Sequence, residues 1–186
     1  GTNGVLPPPK GYLKGLKELL SRHGILLVCD EVMAGFGRTG KLFAFEHFDV
    51  QPDIVTFAKG VTSSYMPLGV MGVSDAIAEH FRKNVFWGGL TYNSHALALR
   101  TAEAVIDVMY EEDLFGNATR MGAVMRSEMD RLQAKHPSVK EGRCLGLFGM
   151  MDLRKNSSGE RMAPYNGTSE AMQKLGPGEV NRPLPW

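Results

Sequence analysis

The chain has 186 residues, 43% of them hydrophobic and 22% charged, with a net charge of +1. Such a chain can build an ordinary globular core of about one domain or one and a half. A charge this close to zero gives no reason to expect a nucleic acid or a membrane surface as partner, and no apolar run reaches the ~18 residues of a membrane span.

The opening GTNGVLPPPK has neither an initiator Met nor the shape of a signal peptide, so the chain is expected to be an internal fragment entered in mid-loop. Its prolines lead into a helix predicted over about 10–23, with Leu13, Leu16 and Leu20 on one face and Gly24 as a left-handed stop. Residues 25–29 (ILLVC) and 54–58 (IVTFA) are short, continuous, partly β-branched runs, the pattern of buried parallel strands. The first ends on Asp30–Glu31 and the second on Lys59. In an open α/β sheet the carboxyl ends of the strands face the ligand crevice, so a carboxylate and an amine are expected at one edge. Cys29, inside the first run, and the distant Cys144 read as reduced structural thiols of a cytosolic protein.

Between these runs lie the glycine-rich loop GFGRTG (35–40) and an aromatic connection at 43–48. A Ser- and Gly-containing turn at 60–67, a third strand at 68–73 and a helix at 74–81 opened by a Ser74–Asp75 cap follow. Residues 87–92 (WGGLTY) read as extended or looped. Ser94 is expected to cap a long helix with an inner stripe of Leu97, Thr101, Ala104, Val105 and Val108. A second helix over about 114–135 carries Ala118, Met121, Met125 and Leu132 inward and ends at His136–Pro137. Residues 145–153 read as one strand of a smaller layer, the chain turns polar from Arg154, and 176–186 form an irregular tail. There is no internal repeat.

Three chemistries compete for the central stretch. GFGRTGK has the GxxxxGK spacing of a phosphate-binding loop, but Leu42 stands where a Ser or Thr must hold magnesium. Lys59 and the acidic pair read equally as solvated ends of strands. The third reading is pyridoxal phosphate, which needs a lysine to form an imine with its aldehyde and a carboxylate to keep its ring nitrogen protonated. The five histidines show no metal-ligand spacing and are read as non-catalytic. The eleven methionines read as core, Arg143 as a salt-bridge residue, and Trp87 and Tyr92 as packing or pocket-lining residues.

LLVCDEVMAGFGRTG followed by DIVTFAKG, flanked by LPPPKGYLKGLKELLSRHGILL and GGLTYNSHALA, resembles the class III (ω-type) pyridoxal-phosphate aminotransferases. The resemblance runs from Gly1 to Leu175 and covers less than half of the family's usual length. It implies an α/β fold, part of a fold-type I large domain with a mostly parallel sheet and flanking helices, over 1–112. Residues 113–175 would then form the connecting helix and the start of a small C-terminal α+β domain. It implies that Asp30 partners the pyridinium nitrogen and that Lys59 forms the Schiff base and shuttles the substrate proton. Val32 would pack on the ring, and Thr91 would bind the cofactor phosphate of the other subunit of a homodimer. Glu31 belongs to the motif without an assigned chemical step; a structural role is the expectation for it. The implied reaction moves an amino group from an ω-amino donor, of the taurine or β-alanine kind, to pyruvate or another 2-oxo acid in the cytoplasm. A decarboxylase or aminomutase of the same family, an inactive fragment, and a P-loop protein stand as alternatives. The family's phosphate loop, stacked aromatic ring and substrate-clamping arginine have no counterpart here, so weak cofactor binding by this polypeptide alone is expected.

Overall fold

A computed structural model of the chain describes residues 4–155 and 158–161. The expected tail at 176–186 lies outside the described residues. The elements run in the order α1 (Tyr12–Arg22), β1 (Val28–Asp30), β2 (Ile54–Phe57), β3 (Val70–Val73), α2 (Asp75–Lys83), α3 (Ala96–Glu111), α4 (Leu114–Lys135), β4 (Val139–Leu145) and β5 (Phe148–Leu153). Two 3₁₀ turns, Ala44–Phe48 and Lys59–Thr62, sit in the connections. The described residues divide into two compact units, one made of 4–126 and 143–150, the other of 127–142 with 151–155 and 158–161.

The first unit is organised by a three-stranded sheet in the order β1-β2-β3. β1 and β2 are parallel, with Asp30 opposite Thr56, and β3 returns antiparallel to β2. Leu27, Phe45 and Val50 form a buried cluster, onto which Leu13, Leu16 and Leu20 of α1 pack together with Phe43, Phe48 and Val55. The periodic leucines therefore bury the face that the sequence marks out. α1 stops where Gly24 takes φ +64 and the Ile25 amide bonds back to the Leu20 carbonyl. Asp53, leading into β2, ties the layers: its carboxylate accepts from Lys17 Nζ at 2.5 Å and from the Leu27 amide at 2.7 Å.

Five expectations change. Met121 of α4, expected inward, is 43% exposed, while its neighbour Gly122 is buried. The first strand is shorter than 25–29 and is not buried: Val28 is 54% exposed, because β1 pairs with β2 alone and is an edge strand among the described residues. The cap of α3 is His95, whose Nδ1 accepts from the Ala98 amide, while Ser94 takes φ +56. The inner face of α3 is Ala98, Ala102 and Met109; Leu97 and Val108 of the expected stripe are exposed. Small residues allow α3 to pack closely on the Lys59–Thr62 turn, and hydrophobicity alone does not reveal that choice. Residues 145–153 are not one strand but parts of two, because Gly146, at φ +55, turns the chain between β4 and β5.

In the second unit the Gly142 amide donates to Gln133 Oε1 at 3.3 Å, and Arg154 pairs with Asp152 at 2.6 Å. No helix among the described residues is long and apolar enough to cross a membrane.

Candidate active site

Parallel pairing of β1 and β2 brings two chemical groups to one edge. Asp30 ends β1 opposite Thr56, and Lys59 follows the last residue of β2 by two positions. The Glu31 amide donates to the Thr56 carbonyl at 2.8 Å, which locks the two strand ends together. Asp30 is exposed, and one carboxylate oxygen accepts from the Val32 amide at 3.0 Å, a turn that orients the side chain without using its full acceptor capacity. Lys59 is exposed and opens a 3₁₀ turn with φ +48. A lysine in the left-handed region is strained unless its surroundings impose it, and such residues cluster at functional sites. Among the described residues no ion pair joins Asp30 to Lys59. Val32 is half-buried in the turn after Asp30.

Thr91 lies elsewhere, in an exposed turn where the Asn93 amide bonds to the Leu90 carbonyl. Its neighbours share that exposure: Trp87 is 94% exposed. Tyr92 stacks on His95 with ring centroids 5.6 Å apart and lines a cavity of about 510 Å³ with Met66, Pro67 and Leu68. A larger cleft, about 570 Å³, lies between α3 and the segment after Lys59, but neither Asp30, Val32, Lys59 nor Thr91 lines it.

Glu31 is the residue whose role the structure makes concrete. It is 4% exposed, and its two carboxylate oxygens accept from the Ala44 and Phe45 amides at 3.0 Å each. Burial pushes its carboxyl above the ordinary range, with the two amide bonds opposing that shift. Burial, with Glu31 beside it, likewise raises the Cys29 thiol, which suits an inert packed cysteine. The GFGRTG loop is also spoken for. Gly37 donates to Lys41 O at 3.2 Å, Gly40 donates to Gly37 O at 3.0 Å, and Lys41 Nζ donates to Glu46 O. His47 Nε2 lies 3.1 Å from both the Thr39 carbonyl and hydroxyl, and burial holds its imidazole below the ordinary value. With the Gly35, Phe36, Gly37 and Gly40 amides bonded within the chain, no helix starting at Lys41 and Leu42 in place of a Ser or Thr, this loop lacks the build of a P-loop.

The glycines serve packing instead. A Cβ at Gly40 would lie against Thr119 of α4, one at Gly146 would be 2.5 Å from Thr39 backbone, and one at Gly122 would be 2.7 Å from Gly146. Phe36 is the residue sequence reasoning passed over. Its Cβ would lie 2.7 Å from a Cβ at Gly60, beside Lys59, and its ring packs on Phe57 and Phe43 with centroids 5.3 and 5.6 Å away. The signal was the glycine following the lysine, which fits a close approach better than a flexible turn.

The profile of the family described as Aminotransferase class-III matches residues 1–176. This chain belongs to that family. A diaminobutyrate–2-oxoglutarate transaminase of Halomonas elongata is 34% identical over 166 residues, 87% of this chain and 35% of the relative. A taurine–pyruvate aminotransferase of Bilophila wadsworthia is 37% identical over 164 residues, 82% of this chain and 35% of the relative. The solved structure of a taurine:2-oxoglutarate aminotransferase from Bifidobacterium kashiwanohense, in complex with PLP and glutamate, is 44% identical. It superposes with a TM-score of 0.89 over 94% of this chain and 40% of that one. The chain thus spans little more than a third of the length of these relatives. At this identity and TM-score the α/β fold is part of the large domain of the fold-type I transaminases.

Proposed function

We propose that this segment carries the ring-holding and amine-bearing part of a pyridoxal-phosphate aminotransferase. The observation that supports it most is the shared strand edge, with Asp30 opposite Thr56 on parallel strands and a left-handed Lys59 just beyond. The residues fit the cofactor's ring. Asp30 keeps acceptor capacity for a ring N–H, Lys59 Nζ has no ion pair among the described residues, and half-buried Val32 offers an apolar wall. When bound, pyridoxal phosphate supplies an aldehyde that condenses with amines and a ring that draws in the electron pair released at a substrate's Cα. In this reading Asp30 holds the ring nitrogen protonated, Val32 backs the ring, and Lys59 anchors the aldehyde carbon and carries the proton from the donor's Cα. Thr91, exposed and remote in sequence, serves the phosphate of a second copy in a homodimer. Residues 113–175 lead from the large domain into a small one.

The donor is read as an ω-amino acid or sulfonate and the acceptor as a 2-oxo acid. The names of the taurine relatives support the donor class; pyruvate in one and 2-oxoglutarate in another leave the acceptor to assay. The two free, half-buried thiols suit a cytosolic protein. The test is transfer from taurine or β-alanine to pyruvate by the full-length protein. Transfer that disappears in Lys59→Ala and Asp30→Ala supports the reading. Carbon dioxide release or amine migration with no 2-oxo acid consumed would replace it with a decarboxylase or mutase.

A further inference from the structure

We propose that Glu31 is a positioning residue for Lys59, acting through Phe36 rather than by touching the lysine; the inference rests on the amine role of Lys59 proposed above. Lys59 holds φ +48, a backbone state that a lysine keeps only under external constraint. The constraint beside it is Phe36, itself at φ +55, whose Cβ closes on the bare Cα of Gly60. Phe36 is held in turn. Its amide donates to the Leu42 carbonyl at 2.6 Å, and its ring packs against Phe57, the last residue of β2, and against Phe43. Phe43 also packs on Phe57, with centroids 5.5 Å apart.

Glu31 fixes the far side of this aromatic group. Its buried carboxylate takes the amides of Ala44 and Phe45, the residues that follow Phe43, and its carbonyl takes the Gly35 amide at 2.9 Å, just before Phe36. A Cβ at Gly35 would come within 2.9 Å of that carbonyl, so the loop is pressed onto Glu31 at both ends. Through its own amide Glu31 also grips Thr56 on β2. Two routes therefore run from Glu31 to the lysine turn, one from its backbone amide along the strand and one from its buried carboxylate across the aromatic rings. The second is the one that depends on the side chain.

The test uses the full-length protein and two variants, Glu31→Gln and Phe36→Leu. Hydrogen exchange is read without cofactor at the amides of Ala44 and Phe45, and at those of Val61 and Ser63 in the lysine turn, which bond to Ala58 and Gly60. The rate of borohydride-trapped pyridoxal phosphate addition at Lys59 is read by mass spectrometry. Both variants should speed exchange at Val61 and Ser63, and should slow trapping roughly ten- to a hundredfold, the scale expected for a misplaced reacting group. Faster exchange confined to Ala44 and Phe45, with Val61, Ser63 and trapping as in the parent, would overturn the proposal. If Glu31→Gln does not fold, Phe36→Leu carries the same comparison. If the parent protein gives no Lys59 adduct, the amine role fails, while the exchange data still decide whether Glu31 and Phe36 govern the turn.

Discussion

The strand edge that holds Asp30 and Lys59 and the segment that holds Thr91 are built in opposite ways. At the first, the strand ends and the lysine turn are tied by backbone bonds from Glu31, Val61 and Ser63, a buried glutamate receives two amides, and three phenylalanines pack around the turn. At the second, residues 81–94 are all exposed, including Phe86, Trp87, Leu90 and Tyr92. The difference teaches which half of a site can be self-contained. A carboxylate and an amine need fixed backbone, and this chain supplies it locally. In the proposed dimer the threonine turn meets its target on another copy, so no internal contact has to hold it.

Mutations should separate the two regions by their cost. The largest loss is expected from Glu31→Ala, which strands two amides in a buried place and should destabilise by about 2–6 kcal/mol, at ~1–3 for each unmade bond, read by denaturant unfolding. Next is Gly122→Val, because the added Cβ meets Gly146 backbone that cannot swing aside; overpacking of this kind costs about 1–3 kcal/mol. Asp53→Asn keeps an acceptor for the Leu27 amide but loses a partly exposed ion pair with Lys17, a change of no more than about 1 kcal/mol. Trp87→Ser should change the stability of a single copy by less than about 0.5 kcal/mol; a larger loss would show that the 81–94 segment is packed within one chain after all.

Acidity offers a finer contrast between two carboxylates. The bond from Lys17, with that from the Leu27 amide, holds Asp53 below its ordinary range, so its contribution is present above the ordinary aspartate pKa and is lost as pH falls through the lowered one. Burial holds Glu31 above its ordinary range. Its folded state therefore binds the proton more tightly, and stability falls as pH rises from the ordinary glutamate pKa through the raised one. Melting curves against pH should show the difference between parent and Asp53→Asn shrinking on acidification. The slope assigned to Glu31 should vanish in Glu31→Gln.

Much of this was legible in the sequence, for physical reasons that also explain the failures. α1 and α4 were readable because leucine spacing, a stop glycine and His136–Pro137 mark them, and α4 begins and ends at the expected residues. The strand ends bearing Asp30 and Lys59 were readable because continuous apolar runs stop abruptly at charge. What misled was the weight given to large side chains. α3 turns Ala98 and Ala102 inward, and α4 buries Gly122 where Met121 was expected and stands exposed, because close contact with backbone favours the smaller residue. The GFGRTG glycines were weighed as a phosphate loop for the same reason: their spacing is visible, whereas the α4 and Gly146 surfaces they fit are not.

The most direct test of the account is to incubate the full-length protein with pyridoxal phosphate, reduce with borohydride and map the adduct. A single adduct on Lys59, lost in Asp30→Ala, is the predicted result, and it would show that Lys59 and Asp30 are the amine and acid poles of the site. Labels scattered over exposed lysines, unchanged by Asp30→Ala, would contradict it.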